Sequence, residues 1–271
     1  MSSHRTVRSR DGTPIAYDTA GDGPAVILVG GAFSYRRYRS WMQLTELLAP
    51  RFTVIGYDRR GRGDSGDAPE YAVEREIEDL GALVQAAGGL AHVFGMSSGG
   101  VLALRAAAAG VPVERAVVYQ PPFTVDASGH LPTADFEQRL DVLVASGDRA
   151  ATVRYFMREG MGAPRALVGA LRLARPLWRN LEAVSHTLPY DYAVMNGTVH
   201  GTPLPREPWA SIGTPTLVLD GGKSPASLRA AADALAQHMP NAERRTLDGQ
   251  SHNLSMKALA PVLEDFFLDR R

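Results

Sequence analysis

The chain has 271 residues, 45% of them hydrophobic and 21% charged, with 29 basic and 29 acidic side chains and no cysteine. That length can bury one sizeable core, the balanced charge argues against nucleic acid as a partner, and the absence of cysteine excludes disulfides, a thiolate nucleophile and a cysteine-ligated metal. Residues 1–10 are polar and basic with no apolar core of the secretory kind, and no apolar run nears the ~20 residues that span a bilayer, so a cytoplasmic protein with no membrane partner is expected.

Asp11-Gly12 reads as the turn of an opening hairpin between 6–8 and 15–19. Residues 25–29 are a continuous apolar run, as in a strand buried on both faces of a parallel sheet, and end in Gly30-Gly31-Ala32-Phe33. A helix is predicted over 41–48, closed by Pro50. A strand over 53–57 leads into Asp58-Arg59-Arg60-Gly61-Arg62-Gly63-Asp64-Ser65. After a helix over 74–86 comes Ala91-His92-Val93-Phe94-Gly95-Met96-Ser97-Ser98-Gly99-Gly100. This is a short apolar strand, a Gly-x-Ser-x-Gly turn and then an alanine-rich helix over 101–109. A serine in that context sits on a strained strand-to-helix turn that lifts its hydroxyl out of the sheet, the geometry of a nucleophile elbow. A strand over 116–119 follows.

Between Pro121-Pro122 and Pro215 strand patterning stops. Helices are predicted at 135–145, 150–158, 165–174 and 177–187. Phe136, Tyr155, Phe156, Trp178, Tyr190 and Tyr192 in this stretch supply a small core, with some of them facing a pocket. Alternation resumes with a strand at 216–219, a helix at 227–238, a strand at 243–247 and a final helix at 261–268. Strands alternating with helices mean an α/β fold.

Gly30-Gly31-Ala32, the Asp58–Ser65 segment, the serine turn and Gly249-Gln250-Ser251-His252, in that order and spacing, resemble the α/β-hydrolase superfamily. The resemblance covers nearly the whole chain. It implies a mostly parallel eight-stranded sheet flanked by helices, with a helical cap inserted after strand 6. Core would then be 1–122 and 206–271, and cap 123–205. It further implies a capped serine hydrolase with Ser97 as nucleophile, His252 as base and the backbone N–H groups of Ala32 and Ser98 as oxyanion hole. Gly30, where the family usually has histidine, leaves room near that hole.

The acid departs from the pattern. Where the family's usual aspartate falls, Gly221-Gly222-Lys223 leads to Ser224; at the alternative site after the preceding strand stands Gln120. Two carboxylates remain close in sequence, Asp220 and Asp248, and Asp220 at its strand end is the first choice. Gln120 or Ser224 could still hold the histidine's tautomer, without supplying charge. If neither aspartate reaches His252, the expectation is a slow hydrolase or a site turned to other chemistry.

The Asp58–Ser65 segment reads as structural, with Asp58 and Arg59 bonding neighbouring backbone. Arg36, Arg37 and Arg39 read as solvated, and His186 and His200 as possible substrate contacts. The function expected is hydrolysis of an ester, thioester or lactone of a small to medium apolar molecule through an acyl-serine. The alternative is a ligand-binding or non-hydrolytic protein, cyclase- or lyase-like, using the same pocket. Neither metal nor organic cofactor is implied. The expected partner is a small-molecule substrate, with the protein a monomer or homodimer.

Overall fold

In the computed structural model, which describes residues 3–195 and 197–269, the chain opens with the antiparallel hairpin β1 (Ser3–Arg8) and β2 (Pro14–Ala20). There follow β3 (Ala25–Val29), α1 (Arg39–Leu48), β4 (Thr53–Tyr57), α2 (Val73–Ala86), β5 (Ala91–Met96), α3 (Ser98–Ala108) and β6 (Val113–Tyr119). The helices α4 (Phe136–Ala145), α5 (Arg149–Tyr155), α6 (Arg165–Leu173), α7 (Arg175–Val184) and α8 (Leu188–Met195) intervene before β7 (Thr216–Gly221), α9 (Ala226–His238), β8 (Ala242–Leu247) and α10 (Met256–Phe267). The strands form one eight-stranded sheet in the order β1-β2-β4-β3-β5-β6-β7-β8. From β4 to β8 every pairing is parallel.

Strand β3 shows why its sequence is unbroken Ala-Val-Ile-Leu-Val. Ile27 and Val29 face one core with residues of α2, α3 and α9, while Val26 and Leu28 face the other with α1 and α10. Successive side chains of a strand point to opposite faces, so a sheet covered on both sides needs apolar residues throughout. Each such burial contributes about 1.5–3 kcal/mol. A third cluster, Val153, Val168, Trp178 and Leu181, lies within the helices between β6 and β7 and has Phe33 packed against it.

Among the departures from expectation, three have physical reasons. Helix α10 starts at Met256, with Pro261 inside it rather than at its start. An internal proline costs about 3 kcal/mol. The burial of Met256, Leu259, Leu263 and Phe267 on the sheet exceeds that cost. Helix α8, whose stretch Leu188-Pro-Tyr-Asp-Tyr-Ala-Val-Met has no amphipathic period, is buried against α3 and α4 instead. Strand β7 runs two residues beyond Leu219, which decides the fate of Asp220.

Candidate active site

The parallel ladder aligns the strand ends. Met96 pairs with Tyr119 and Tyr119 with Leu219. The next residues continue the register: Ser97 N–H donates to Tyr119 O at 2.9 Å and Gln120 N–H to Leu219 O at 2.9 Å. Ser97 and Gln120 therefore emerge side by side at the carboxyl edge of adjacent strands, where ligands bind in open α/β sheets.

Ser97 adopts φ 56° and ψ −132°, a conformation costing about 1–3 kcal/mol for a residue with a Cβ. Close packing maintains it. A Cβ on Gly95 would come within 2.6 Å of Gly99 O, and one on Gly99 within 2.6 Å of Gly30 O. Without side chains at both positions the strand, the turn and α3 interlock, and Ser97 keeps partial exposure. Beside it, a Cβ on Gly31 would lie 2.9 Å from Ser97 Cβ, so the backbone of the Gly30–Phe33 loop runs directly against the serine. Ser98 opens α3, where the first amides have no intrahelical acceptor.

His252 follows β8 through a short loop. Tyr119 hydroxyl donates to Ser251 O at 2.6 Å, fixing the backbone just before the histidine. The ring's Nδ1 lies 2.8 Å from Gln120 Oε1. An amide oxygen only accepts, so Nδ1 carries the proton and Nε2 is left as the free base. On its other side the Gln120 amide donates to Ser224 Oγ. Hydrogen bonds thus link His252, Gln120 and Ser224 in a chain that contains no carboxylate. Burial pushes the imidazole pKa below its ordinary 6.5.

Asp220, the first choice for the acid, does not meet His252. It is the fifth residue of β7, paired in register with Thr246, whose hydroxyl it accepts at 3.0 Å. Arg244, two residues earlier in β8 and so on the same face, forms an ion pair with it at 2.7 Å. Had β7 ended at Leu219, Asp220 would have been a loop residue free to turn; in the ladder its direction is set. Asp248 is exposed in the loop before the histidine. Ser224 is buried, and of the two it meets Gln120 rather than His252.

The room expected beside Gly30 is filled by Ser34, which accepts from the Trp41 indole. Arg36 is not solvated: it is 6% exposed and ion-paired with Asp18, Asp58 and Asp64. Arg37 remains exposed. Asp58 does bond neighbouring backbone, accepting from Arg36 N–H at 2.7 Å and Asp64 N–H at 2.9 Å. Arg59 does so too, donating to Gly30 O at 3.4 Å, and its shorter contacts are a two-pronged pair with Glu76, both 2.6 Å, and one with Asp191 at 2.6 Å. Glu76 and Asp191 went unnoticed in the sequence. The available signal was the arginine-rich loop itself, since buried guanidinium groups require buried carboxylates. His200 is exposed, and His186 lines a cleft of about 360 Å³ with Tyr71, Tyr190 and Tyr192 that includes neither Ser97 nor His252. Phe136 stacks on Tyr155 with ring centroids 5.3 Å apart and also meets Phe156 and Tyr192, and Phe136, Phe156 and Tyr192 are buried in the same cluster as Ile27 and Val29 of the sheet. Among the described residues no group of three or more His, Asp or Glu side chains is arranged to hold a metal ion, and no helix is long and apolar enough to cross a membrane.

Residues 25–264 match the alpha/beta hydrolase family. The structure superposes on that of an alpha/beta hydrolase from Sphaerobacter thermophilus with a TM-score of 0.90, at 54% identity over 97% of this chain and 100% of that one. An N-formylmaleamate deformylase of Pseudomonas putida is 37% identical over 106 residues, an alignment spanning 38% of this chain and 39% of that protein. An N-formylmaleamic acid deformylase from Pseudomonas putida S16 shares the fold, with a TM-score of 0.65 at 20% identity over 96% of this chain and all of that one. Elbow, sheet order and family match agree: the chain belongs to the alpha/beta hydrolase family, and its general class is hydrolase.

Proposed function

We propose that this protein is a serine hydrolase that cleaves an ester, thioester or lactone of a small to medium apolar molecule, using a Ser97–His252–Gln120 arrangement. The observation that carries the reading is the 2.8 Å contact of His252 Nδ1 with Gln120 Oε1, which leaves Nε2 as a base, at the sheet edge where Ser97 occupies its elbow. Ser97 Oγ attacks the acyl carbon while its proton passes to Nε2. The oxyanion receives the N–H groups of Ala32 and Ser98. Collapse expels the leaving group, which takes the proton from the imidazolium. Water, deprotonated by the same nitrogen, then releases the acid and restores Ser97. No metal or organic cofactor has a step in this scheme.

Residues 123–205 act in this reading as a cap that closes over the serine and excludes water. The buried contacts of Asp191 and Thr187 with the core loops support that placement. The apolar preference draws support from Phe33, next to Ala32 and edge-on to Phe156 at 5.7 Å. Two similar proteins are named for deformylation, itself an acyl transfer.

A second reading, binding or non-hydrolytic chemistry in the same pocket, is favoured by the neutral partner of His252. An amide orients the ring but lends no charge to the imidazolium, and hydrolysis depends on that imidazolium. The two readings separate in one assay. Turnover of p-nitrophenyl and thioester acyl series that is lost in Ser97→Ala and His252→Ala supports the hydrolase. Equal turnover in wild type and Ser97→Ala refutes it.

A further inference from the structure

Both amides assigned to the oxyanion hole are tied to one buried ion pair that bridges the core and the helical segment. Arg62 donates to Gly31 O at 2.7 Å and to Ser34 O at 3.3 Å. Gly31 C=O and Ala32 N–H belong to the same planar peptide unit, so holding one end aims the other. A guanidinium on the carbonyl also polarises the unit and strengthens its N–H as a donor. The second amide is tied through Ser98, whose hydroxyl donates to Asp191 Oδ1 at 2.7 Å. Asp191 Oδ2 accepts from Arg62, which closes the circuit. Arg62 and Asp191 are 1% and 2% exposed. Burial alone would raise the Asp191 carboxyl, but Arg62 and Arg59 beside it hold it below the usual range. Arg62 Nε donates to Thr187 Oγ1 at 2.8 Å, a second bond from the same guanidinium to the helical segment.

We infer that Arg62 and Asp191 are positioning residues for the oxyanion hole, and that the hole is assembled only when α8 is docked. The inference rests on the acyl-serine reading. Its physical content is that a group placed about 1 Å off the developing oxyanion loses most of its effect. A buried pair whose members each hold one of the two donors makes that alignment depend on a segment distant in sequence. Phe33, at φ 61° and packed edge-on against Phe156 of the helical segment, clamps the same loop from the other side.

The test is phosphonylation of Ser97 by a fluorophosphonate, in which the serine oxygen bonds to phosphorus, fluoride leaves, and the proton passes to His252. Rates are measured per titratable site in wild type, Arg62→Lys, Asp191→Asn and Ser98→Ala. Affinity for a trifluoromethyl ketone, whose adduct places an oxyanion in the hole, is measured beside them. The expected result is a fall of about 10- to 1,000-fold in rate for Arg62→Lys and Asp191→Asn, matched by a parallel loss of ketone affinity, with ester KM changed little. A purely structural role would lower the titratable fraction and leave the rate per site unchanged. Rates within about twofold of wild type in folded variants overturn the inference while leaving the acyl-serine reading intact. Should either buried variant fail to fold, Ser98→Ala decides: it keeps both amides, detaches one from Asp191, and is expected to slow labelling several-fold, an unchanged rate being the refuting outcome. If wild-type Ser97 is not labelled at all, it is the acyl-serine reading that falls, and this inference with it.

Discussion

Gln120→Glu exchanges an amide for a carboxylate on the same skeleton, 2.8 Å from His252 Nδ1 and fully buried. Ser224, now accepting from the amide, can turn its hydroxyl to donate to the new oxygen. The wild-type imidazole is lowered by burial and has only a neutral partner, so kcat/KM should lose activity on the acid side below pH 6.5. An adjacent carboxylate favours the imidazolium and raises its pKa by about 1–3 units, or about 1.4–4 kcal/mol. The figure is consistent with the ~4 kcal/mol of two charges 4 Å apart at an effective dielectric of 20. The sign follows directly: the base must be neutral to work, so the acid limb moves up in pH. The imidazolium formed in the transition state is stabilised by the same interaction, so kcat above the new limb should rise about tenfold or more. The assay is a pH profile of kcat/KM for the best ester in both proteins, with circular dichroism to establish folding. An acid limb that stays in place in the folded variant would show that Gln120 is not the partner of His252 in solution.

Other consequences follow from the same arrangement of side chains. Asp220→Asn should leave kcat/KM within about threefold, because the carboxylate serves Thr246 and Arg244, while costing about 1–3 kcal/mol in chemical denaturation; a thousandfold loss of activity would restore Asp220 to the triad. Gly99→Ala drives a Cβ to 2.6 Å from Gly30 O, so stability should fall by about 1–3 kcal/mol and labelling of Ser97 should slow. His92, buried and stacked on Phe267 at 4.8 Å, has a pKa lowered by burial. The unfolded chain therefore binds more protons than the folded one as pH falls below 6.5, and stability declines in that window. His92→Phe should flatten that decline in thermal melts between pH 7.5 and 5; an unchanged slope would rule out this ring as its source.

Much of the site was legible because it is encoded locally. Strand, glycine turn and helix around Ser97 follow one another without interruption from Ala91 to Ala108, and steric limits on Gly95 and Gly99 make that pattern nearly self-specifying. The buried strand 25–29 carries its own signature, since a strand covered on both faces favours an unbroken apolar run. What is non-local was not legible. The direction of Asp220 depends on two extra residues of strand pairing with β8, which the sequence around it does not announce. The partner of Arg62 lies 129 residues away, on a helix with no amphipathic period, and no local rule joins them. Gln120 was visible as an amide where a carboxylate might stand; only the register of β6 against β7 put it beside the histidine.

The proposed hydrolysis requires acyl transfer through Ser97 with His252 as its base. Rapid acid quenching of the enzyme during turnover of a p-nitrophenyl ester, followed by peptide mass spectrometry, tests it most directly. An acyl mass increment is expected on the peptide containing Ser97, absent in Ser97→Ala and in His252→Ala. Ester turnover with no adduct on Ser97 and unimpaired by either substitution would contradict it.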